Sequence, residues 1–260
     1  MTRKQSALAT PRGSLARGLI LLEHLGAHPE GLTLSELSRA SGLSLSTAHR
    51  LLTTHQQFKF VQRNAVDRHY SLGLRLLELG HGASRSLSLA EAGIPVMREL
   101  ANEARETLLL AILDGTDVVF IARCDSGRSV TIHGDVGDRA PSYCTATGKV
   151  MLAALPLDQL SSTIAAMRFR SYSATTITDK DRLLECLHEV RKNGFALANQ
   201  EYDEGIASIG VPVVGSAGNV VGGLCIAAPS YRTSVSELTK WLVPLKRAAR
   251  EIGSHVTARH

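Results

Sequence analysis

The chain of 260 residues is long enough for two domains, and a hydrophobic content of 44% can supply a core for each. Twenty-nine lysines and arginines against 24 acidic residues give a formal net charge of +5. Residues 1–73 hold nine of these basic and four of these acidic side chains, so the whole excess lies there and the remainder is neutral. This distribution indicates that the N-terminal segment is attracted to phosphate groups.

Cysteine placement and hydropathy exclude other classes of protein. The four cysteines are scattered without a C-x-x-C pair, which argues against a disulfide framework or a zinc site. An apolar run at residues 18–27 is interrupted by Glu23 and His24 and is too short to span a bilayer. We therefore expect a cytoplasmic protein with no metal, no cofactor and no membrane partner.

The N-terminal segment begins with a polar stretch and a leucine-rich helix. Residues 1–12 are polar and end near Pro11, which predicts a flexible arm. A first helix is predicted from Ser14 to Ala27, because leucines recur there at three- and four-residue steps. The leucines expected on its apolar face are Leu15, Leu19, Leu22 and Leu25.

Residues 33–55, TLSELSRASGLSLSTAHRLLTTH, predict two short helices joined by a turn at Gly42. Leu34 and Leu37 form the apolar face of the first helix, and Ala48, Leu51 and Leu52 form that of the second. The second helix has a polar N-terminal edge with short hydrogen-bond donors and one arginine. Such a pair is typical of a helix-turn-helix whose second helix enters the major groove of DNA.

A hairpin and a further helix follow this motif. Strands are predicted at Phe58–Gln62 and Arg68–Ser71 around a polar turn, Asn64–Asp67. Three helices and a hairpin over residues 13–73 predict a winged helix-turn-helix. Leu74, Leu77 and Leu79 then predict a helix from Leu74 to Ala83, and we assign residues 74–88 to a linker helix.

Residues 89–260 alternate between strand and helix patterns. A helix at 89–107 precedes strands LLLAILDG, DVVFIARC and SVTIHGD. Helices are predicted at 146–156, 157–167 and 179–192, strands at 195–199, 206–214 and 220–228, and a C-terminal helix at 234–257. Strands, then helices, then strands again indicate an α+β domain with an antiparallel sheet.

Three motifs carry a resemblance to a known family. They are S-x-S-T-x-x-R-L-L at Ser44–Leu52, G-x-R-x-P…T-A-x-G-K at Gly137–Lys149 and N-G-F-A…E-G-I…G-N-V-V-G at Asn193–Gly222. In this order they resemble the IclR family of bacterial transcriptional regulators. The resemblance implies a winged helix that binds operator DNA, a linker helix and a GAF-like effector-binding and oligomerisation domain. It further implies a homodimer or a dimer of dimers, and a small organic acid as the effector.

The resemblance also implies two sets of site residues. Those expected to contact DNA are Arg17, Ser44, Ser46, Thr47, His49, Arg50 and Arg68. Those expected to line the effector site are Ala146, Thr147, Ala198, Ser208, Cys225 and Ala227. Arg50 can reach a guanine edge or a phosphate group. Lys59 and Asp67 stand where glycine is usual in the family, which bears on the shape of the wing.

The identity of the effector is indicated by two departures on the strands. Ala198 and Ala227 stand where family members have polar or acidic residues, so we expect a roomier, less polar pocket and a larger, aromatic acid. Effector binding is expected to bias the angle of the linker helices, and with it the spacing of the two recognition helices.

Two other functions remain open from the residues alone. Cys144, His133 and Asp135 could form a nucleophile, base and orienting acid, although their spacing does not compel it. The ATGK sequence at Ala146–Lys149 suggests a phosphate loop, but Tyr143 occupies the place of the first glycine of that motif. An architectural DNA-binding protein without a ligand is the other alternative, and the size of the neutral C-terminal domain argues against it. We expect a regulator and not an enzyme.

Overall fold

The computed structural model describes residues 13–82, 85–127, 132 and 134–255, and the chain divides into two compact units at residues 84/85. The predicted flexible arm at residues 1–12, and most of the strand predicted at 129–135, lie outside the described residues. None of the helices within the described ranges is long and apolar enough to cross a membrane.

The first unit has the predicted winged helix-turn-helix order. Its elements are α1 (Ser14–Gly26), α2 (Leu34–Ser41), α3 (Leu45–Gln57), β1 (Val61–Arg63), β2 (Tyr70–Leu72) and α4 (Arg75–Gly82). The two strands pair antiparallel. Leu21, Leu37, Leu52 and Tyr70 are almost fully buried at the centre, and each leucine stabilises the unit by about 1.5–3 kcal/mol through burial.

Local signals explain the turn between α2 and α3. Thr33 and Glu36 form a capping box at the start of α2, in which each side chain bonds the other's backbone N–H. Gly42 ends this helix with a left-handed φ of 67°, a conformation that glycine adopts without strain. Ser44 then caps α3, because its hydroxyl accepts a hydrogen bond from the N–H of Thr47.

The buried face of α1 agrees with the predicted one only in part. Leu25 is buried and Leu22 packs against the core as predicted. Leu21 is also fully buried, whereas Leu15 and Leu19 are 76% and 51% exposed. The leucines of α1 are numerous enough to form more than one apolar stripe. The contact with α3 selects between them, because Nε2 of His55 lies 3.0 Å from the carbonyl oxygen of Gly18 and brings that side of α1 inward.

The wing strands begin later than predicted. Phe58 ends α3 and Lys59 takes a left-handed φ of 60°, so β1 starts only at Val61. Arg68 takes a φ of 62° and delays β2 to Tyr70. The left-handed position of the wing turn is therefore occupied by Arg68 and not by Asp67.

The predicted linker helix, residues 74–88, spans the division between the two units. Residues 75–82 form α4, and residues 85–88 belong to a 20-residue helix of the second unit, Arg85–Ala104. Residues 83 and 84 lie outside the described residues, so a continuous linker helix stays a prediction. Leu74, just before α4, and Leu77 within it are 74% and 71% exposed and are therefore not core residues.

The second unit is the predicted α+β domain with an antiparallel sheet. Its elements are α5 (Arg85–Ala104), β3 (Thr107–Asp114), β4 (Asp117–Cys124), β5 (Arg139–Pro141), α6 (Ala146–Ala154), α7 (Leu157–Ala166), α8 (Lys180–Asn193), β6 (Ala196–Asn199), β7 (Ile206–Val214), β8 (Val220–Pro229), α9 (Val235–Leu238) and α10 (Leu242–Ser254). The described strands form one sheet in the order β5-β4-β3-β8-β7-β6.

The C-terminal helix predicted at 234–257 is broken into α9, a 3₁₀ turn and α10. Pro244 lies in the first turn of α10, where its missing N–H and its ring disfavour a continuous helix.

Helices cover both faces of this sheet. Met97 of α5 and Ile252 of α10 pack with Ile226 of β8 on one face. Val150 of α6 and Leu183 of α8 belong to the hydrophobic cluster on the other face, with Leu109 of β3. The candidate pocket described below lies on the face that α6 covers.

Glycines allow the first turn of α6 to lie directly on the sheet. A Cβ atom at Gly210 of β7 would stand 2.8 Å from the backbone carbon of Ala146, and one at Gly223 of β8 would stand 2.8 Å from the carbonyl oxygen of Thr147. Any larger residue at either position would displace this turn, because both contacts are with backbone atoms. The two glycines therefore fix the height of the N-terminus of α6 above the sheet.

Candidate functional site

The predicted DNA-contacting side chains of α3 lie on its exposed edge. Ser44, Ser46, His49 and Arg50 are exposed, Thr47 is half-buried, and the apolar residues Ala48, Leu51 and Leu52 face the core as predicted. The hydroxyl of Ser44 contacts those of Ser46 at 3.2 Å and Thr47 at 2.9 Å. A cluster of hydroxyl groups at a helix N-terminus offers hydrogen bonds and a positive dipole end to a phosphate group.

Three arginines of this unit are not committed to carboxylates. Among the described residues, no ion pair is formed by Arg17, Arg50 or Arg68. Nε of Arg17 is buried and has no hydrogen-bond partner within the described part of the chain. Guanidinium groups that are not held by carboxylates can bind phosphate oxygens through their exposed N–H groups.

The wing turn is held by short polar contacts. Val66 N–H donates to Oδ1 of Asn64 at 2.9 Å, and His69 N–H donates to Oδ1 of Asp67 at 3.0 Å. This arrangement leaves Val66 93% exposed at the tip and Arg68 exposed beside it. The sequence interpretation missed Val66, and a single exposed valine within a polar turn would have been the signal for it.

All six predicted effector residues line one cavity of the second unit. The cavity has a volume of about 60 Å³ and opens to solvent. Ala198, Ser208 and Ala227 lie side by side on β6, β7 and β8, because Ser208 is the register partner of both alanines. The other three are Ala146 and Thr147 on α6 and Cys225 on β8.

The first turn of α6 forms one end of the cavity. The hydroxyl of Thr145 accepts the N–H of Gly148 at 3.2 Å, and the carbonyl oxygen of Thr145 accepts that of Lys149. The N–H groups of Ala146 and Thr147 have no hydrogen bond within the described residues. Two free N–H groups at the positive end of a helix dipole favour a carboxylate group.

The connection between β6 and β7 adds acidic side chains to the cavity. Glu201, Tyr202 and Asp203 of this connection line it. Burial raises the pKa of Glu201, and the ammonium group of Lys149 at 2.6 Å opposes this shift. Two carboxylates therefore line the cavity beside the strand alanines. The expectation of a roomier, less polar pocket is a comparison with the pockets of other family members, and it stays a prediction.

Aromatic and aliphatic side chains complete the cavity. The lining residues that the sequence interpretation did not assign to the effector site are Leu109, Phe120, Ile132, Cys144, Thr145, Glu201, Tyr202, Asp203 and Ile206. Tyr202 stacks edge-on against Tyr172, with ring centroids 5.1 Å apart. The E-Y-D-E-G sequence that follows β6 would have been the signal for the two carboxylates.

The chemistry of Cys144 does not suit a nucleophile. Burial raises the pKa of Cys144 to about 12, so the thiol is neutral at physiological pH. Asp135 lies 3.3 Å from Nη1 of Arg123, and His133 lies outside the described residues. The described residues contain no cluster of His, Cys, Asp and Glu that could hold a metal ion.

Comparison with known proteins identifies the family of both units. Residues 14–65 match the IclR helix-turn-helix domain, and residues 81–254 match the C-terminal domain of bacterial IclR transcriptional regulators. The chain is 34% identical to the HTH-type transcriptional regulator KdgR of Escherichia coli, over 91% of this chain and 89% of that protein. It is 30% identical to the Pca regulon regulatory protein of Pseudomonas putida, over 91% and 81% of the respective chains.

Solved structures agree with this assignment. An IclR homologue from Microbacterium hydrocarbonoxydans, in complex with 4-hydroxybenzoate, superimposes with a TM-score of 0.83 at 25% identity over 95% of this chain and all of that one. The IclR protein of Thermotoga maritima superimposes with a TM-score of 0.76 at 25% identity, over 92% and 97% of the two chains. The chain therefore belongs to the IclR family of bacterial transcriptional regulators.

Proposed function

We propose that this regulator binds operator DNA as a homodimer and that a small organic acid bound to its second unit controls a catabolic operon. The observation that carries the proposal is the presence, in one chain, of an exposed basic recognition helix and a cavity that ends at the first turn of α6. Relatives named for regulons and a homologue in complex with 4-hydroxybenzoate support it.

On the DNA side, α3 enters the major groove with Ser44, Ser46, Thr47, His49 and Arg50 along its N-terminal edge. Arg17 and Arg68 bind phosphate groups on either side of this contact. The exposed Val66 of the wing tip suits the sugar edges of the minor groove, where apolar side chains commonly insert. Base contacts by Arg50 set the sequence preference, whereas the phosphate contacts set affinity and its salt dependence.

DNA binding is tested by selecting duplexes from a random pool and measuring their affinity by fluorescence anisotropy. Arg50→Ala should weaken the selected duplex by about 1–3 kcal/mol and relax the preference at one position of each half-site. Arg250→Ala is the matched control, because Arg250 is an exposed arginine on α10 of the other unit. Equal losses in both variants, with unchanged base preference, would remove Arg50 from the interface.

On the effector side, the carboxylate group of the acid binds the N–H groups of Ala146 and Thr147. Ser208, Ala198, Ala227 and Cys225 contact the body of the acid. An aromatic acid such as 4-hydroxybenzoate fits if its ring extends into the open mouth, because the cavity itself measures only about 60 Å³. Smaller acids such as lactate require less of this space and belong in the same test.

Effector binding is tested by thermal shift with a panel of carboxylic acids. An acid at about 100 times its Kd should stabilise the native state by about 2.7 kcal/mol. The same acid should change the affinity for the selected duplex by about 5- to 150-fold, since ligand and DNA are coupled through two states of the protein. An acid that raises the melting temperature without changing DNA affinity would contradict control of the operon by this site.

Self-association is supported by apolar side chains that the first unit does not bury. Leu15 of α1 and Leu77 of α4 are 76% and 71% exposed, and two such leucines on short helices favour burial against a second copy. Sedimentation velocity of Leu77→Glu should show a shift towards smaller species. Val243→Glu is the control, because Val243 is 76% exposed on α10 of the other unit.

A further inference from the structure

The buried ion pair between Lys149 and Glu201 is the feature of the second unit that the DNA- and acid-binding groups do not account for. Nζ of Lys149 lies 2.6 Å from both carboxylate oxygens of Glu201, and the side chains are 1% and 10% exposed. A third bond joins Nζ to the carbonyl oxygen of Leu197 at 3.1 Å. The three N–H donors of the ammonium group are therefore all used.

The pair joins α6 to the connection between β6 and β7, and both segments contribute residues to the cavity. Lys149 lies on α6, one helical turn after Ala146, whose N–H group is part of the proposed acid-binding turn. Glu201 lies on the connection together with Asp203, and both line the cavity. Lys149 does not line the cavity itself, so it provides positive charge without offering a donor to a ligand.

Stability is not a sufficient reason for this pair. Desolvation of two buried charges costs about as much as their attraction returns, so a well-packed apolar pair of the same volume is commonly as stable or more stable. The effect of Lys149 on the charge of the cavity lining offers a reason for the pair. Without Lys149, an ionised Glu201 would line the same cavity of about 60 Å³ as an incoming carboxylate, and like charges repel strongly at such short range.

We propose that Lys149 is the charge-compensating residue of the effector site: by neutralising Glu201 from behind the cavity wall, it makes the pocket selective for a monoanionic acid held at the first turn of α6. The proposal rests on the proposed function in that it concerns the same acid site. It assigns the anion selectivity to a residue that does not touch the ligand, and it predicts opposite effects for the two members of the pair.

The test compares an acid with its neutral amide in the full-length protein. Isothermal titration at pH 6 and at pH 8 gives the affinity ratio of 4-hydroxybenzoate to 4-hydroxybenzamide, with lactate and lactamide as a second pair. The ratio is compared at pH 8, because burial raises the pKa of Glu201 and the higher pH favours its ionised form. Lys149→Met should reduce this ratio by about tenfold or more, because Glu201 is then uncompensated, and Glu201→Gln should raise it by a similar factor, because Lys149 is then uncompensated. The double variant should return the ratio to that of the wild type.

A merely structural role predicts a different pattern. Loss of packing weakens acid and amide alike, so an unchanged ratio in both single variants would overturn the proposal. If Lys149→Met does not fold, Glu201→Gln still decides, because structural damage cannot make the acid bind more tightly relative to the amide. A wild type that binds no acid of either pair refutes the proposed effector class and this inference together, whereas a wild type that prefers the acids, with unresponsive variants, refutes this inference alone.

Discussion

The contact of Gly223 with the first turn of α6 makes a strong prediction about the acid site. In Gly223→Ala, the new Cβ would stand 2.8 Å from the carbonyl oxygen, 3.1 Å from Cα and 3.2 Å from Cβ of Thr147. An ordinary contact is at least about 3.4 Å, so α6 has to move outward by about 0.6 Å, or β8 has to bend by as much. All these atoms lie close to the helix axis, so no rotamer change can relieve the contact.

The expected cost follows from this displacement. Overpacking of this kind destabilises a core by about 1–3 kcal/mol. For a unit of this size, each kcal/mol lowers Tm by about 2–4 °C, so calorimetry should show a decrease of about 2–12 °C. The displaced turn also carries the N–H groups of Ala146 and Thr147. Acid binding should therefore weaken more than tenfold, because the position of these donors relative to the carboxylate matters at the scale of fractions of an ångström.

Gly93→Ala is the matched control. Its Cβ would stand 2.8 Å from Cδ2 of Leu110, the flexible end of a side chain on the other face of the sheet. That contact can relax, and alanine is favoured over glycine in a helix interior by about 1 kcal/mol. We expect near wild-type stability and acid binding. If Gly223→Ala melts within about 1 °C of the wild type and binds the acid equally well, Gly223 does not position the first turn of α6.

Other predictions concern the wing and the pH dependence of the stability that Asp125 contributes. Replacement of Lys59 or Arg68 by glycine should each stabilise the first unit by about 1 kcal/mol, because both residues hold a left-handed φ, but only Arg68→Gly should weaken DNA binding in anisotropy. Equal DNA affinity in the two variants would remove Arg68 from the interface. Hydrogen bonds from Arg123 lower the pKa of Asp125, so its stabilising contribution is present above its unfolded pKa of about 3.9 and is lost as pH falls through the folded pKa. Urea titrations should therefore show Asp125→Asn less stable than the wild type at pH 7 and equal to it near pH 2; a gap that persists at pH 2 would contradict this account.

Much of the fold could be predicted because its elements carry local signals. Thr33 with Glu36, Gly42 and Ser44 define the helix-turn-helix through their own side chains and backbone preferences. Asn193-Gly194 ends α8 as predicted, with Gly194 at a left-handed φ of 69°. These signals act within four or five residues, so they can be read without knowledge of the tertiary contacts.

The errors arose where tertiary contacts choose between local alternatives. The apolar stripe of α1 is decided by the contact of Gly18 with His55, which lies 37 residues away. The delayed wing strands depend on non-glycine residues, Lys59 and Arg68, in left-handed conformations that sequence patterns do not favour. The predicted flexible arm, in turn, lies outside the residues that the structure describes.

The cavity shows which of its properties depend on backbone and which depend on side chains. The six residues predicted from the family resemblance do lie together, because their strands are register partners and α6 rests on two glycines beside them. The sequence does not predict that Glu201 and Asp203 line the cavity, because they come from a connection whose direction no strand periodicity specifies.

Shape and charge of this cavity are consequently separable. Ala198 and Ala227 are register partners of Ser208, and these three residues form the strand side of the cavity, here called its floor. A larger side chain at either alanine changes the floor without moving the N–H groups of α6. Gly210 and Gly223 touch the backbone of α6, so enlarging either moves those N–H groups directly. Changes on the floor therefore alter which body of an acid fits, whereas changes beneath α6 alter whether any acid binds at all.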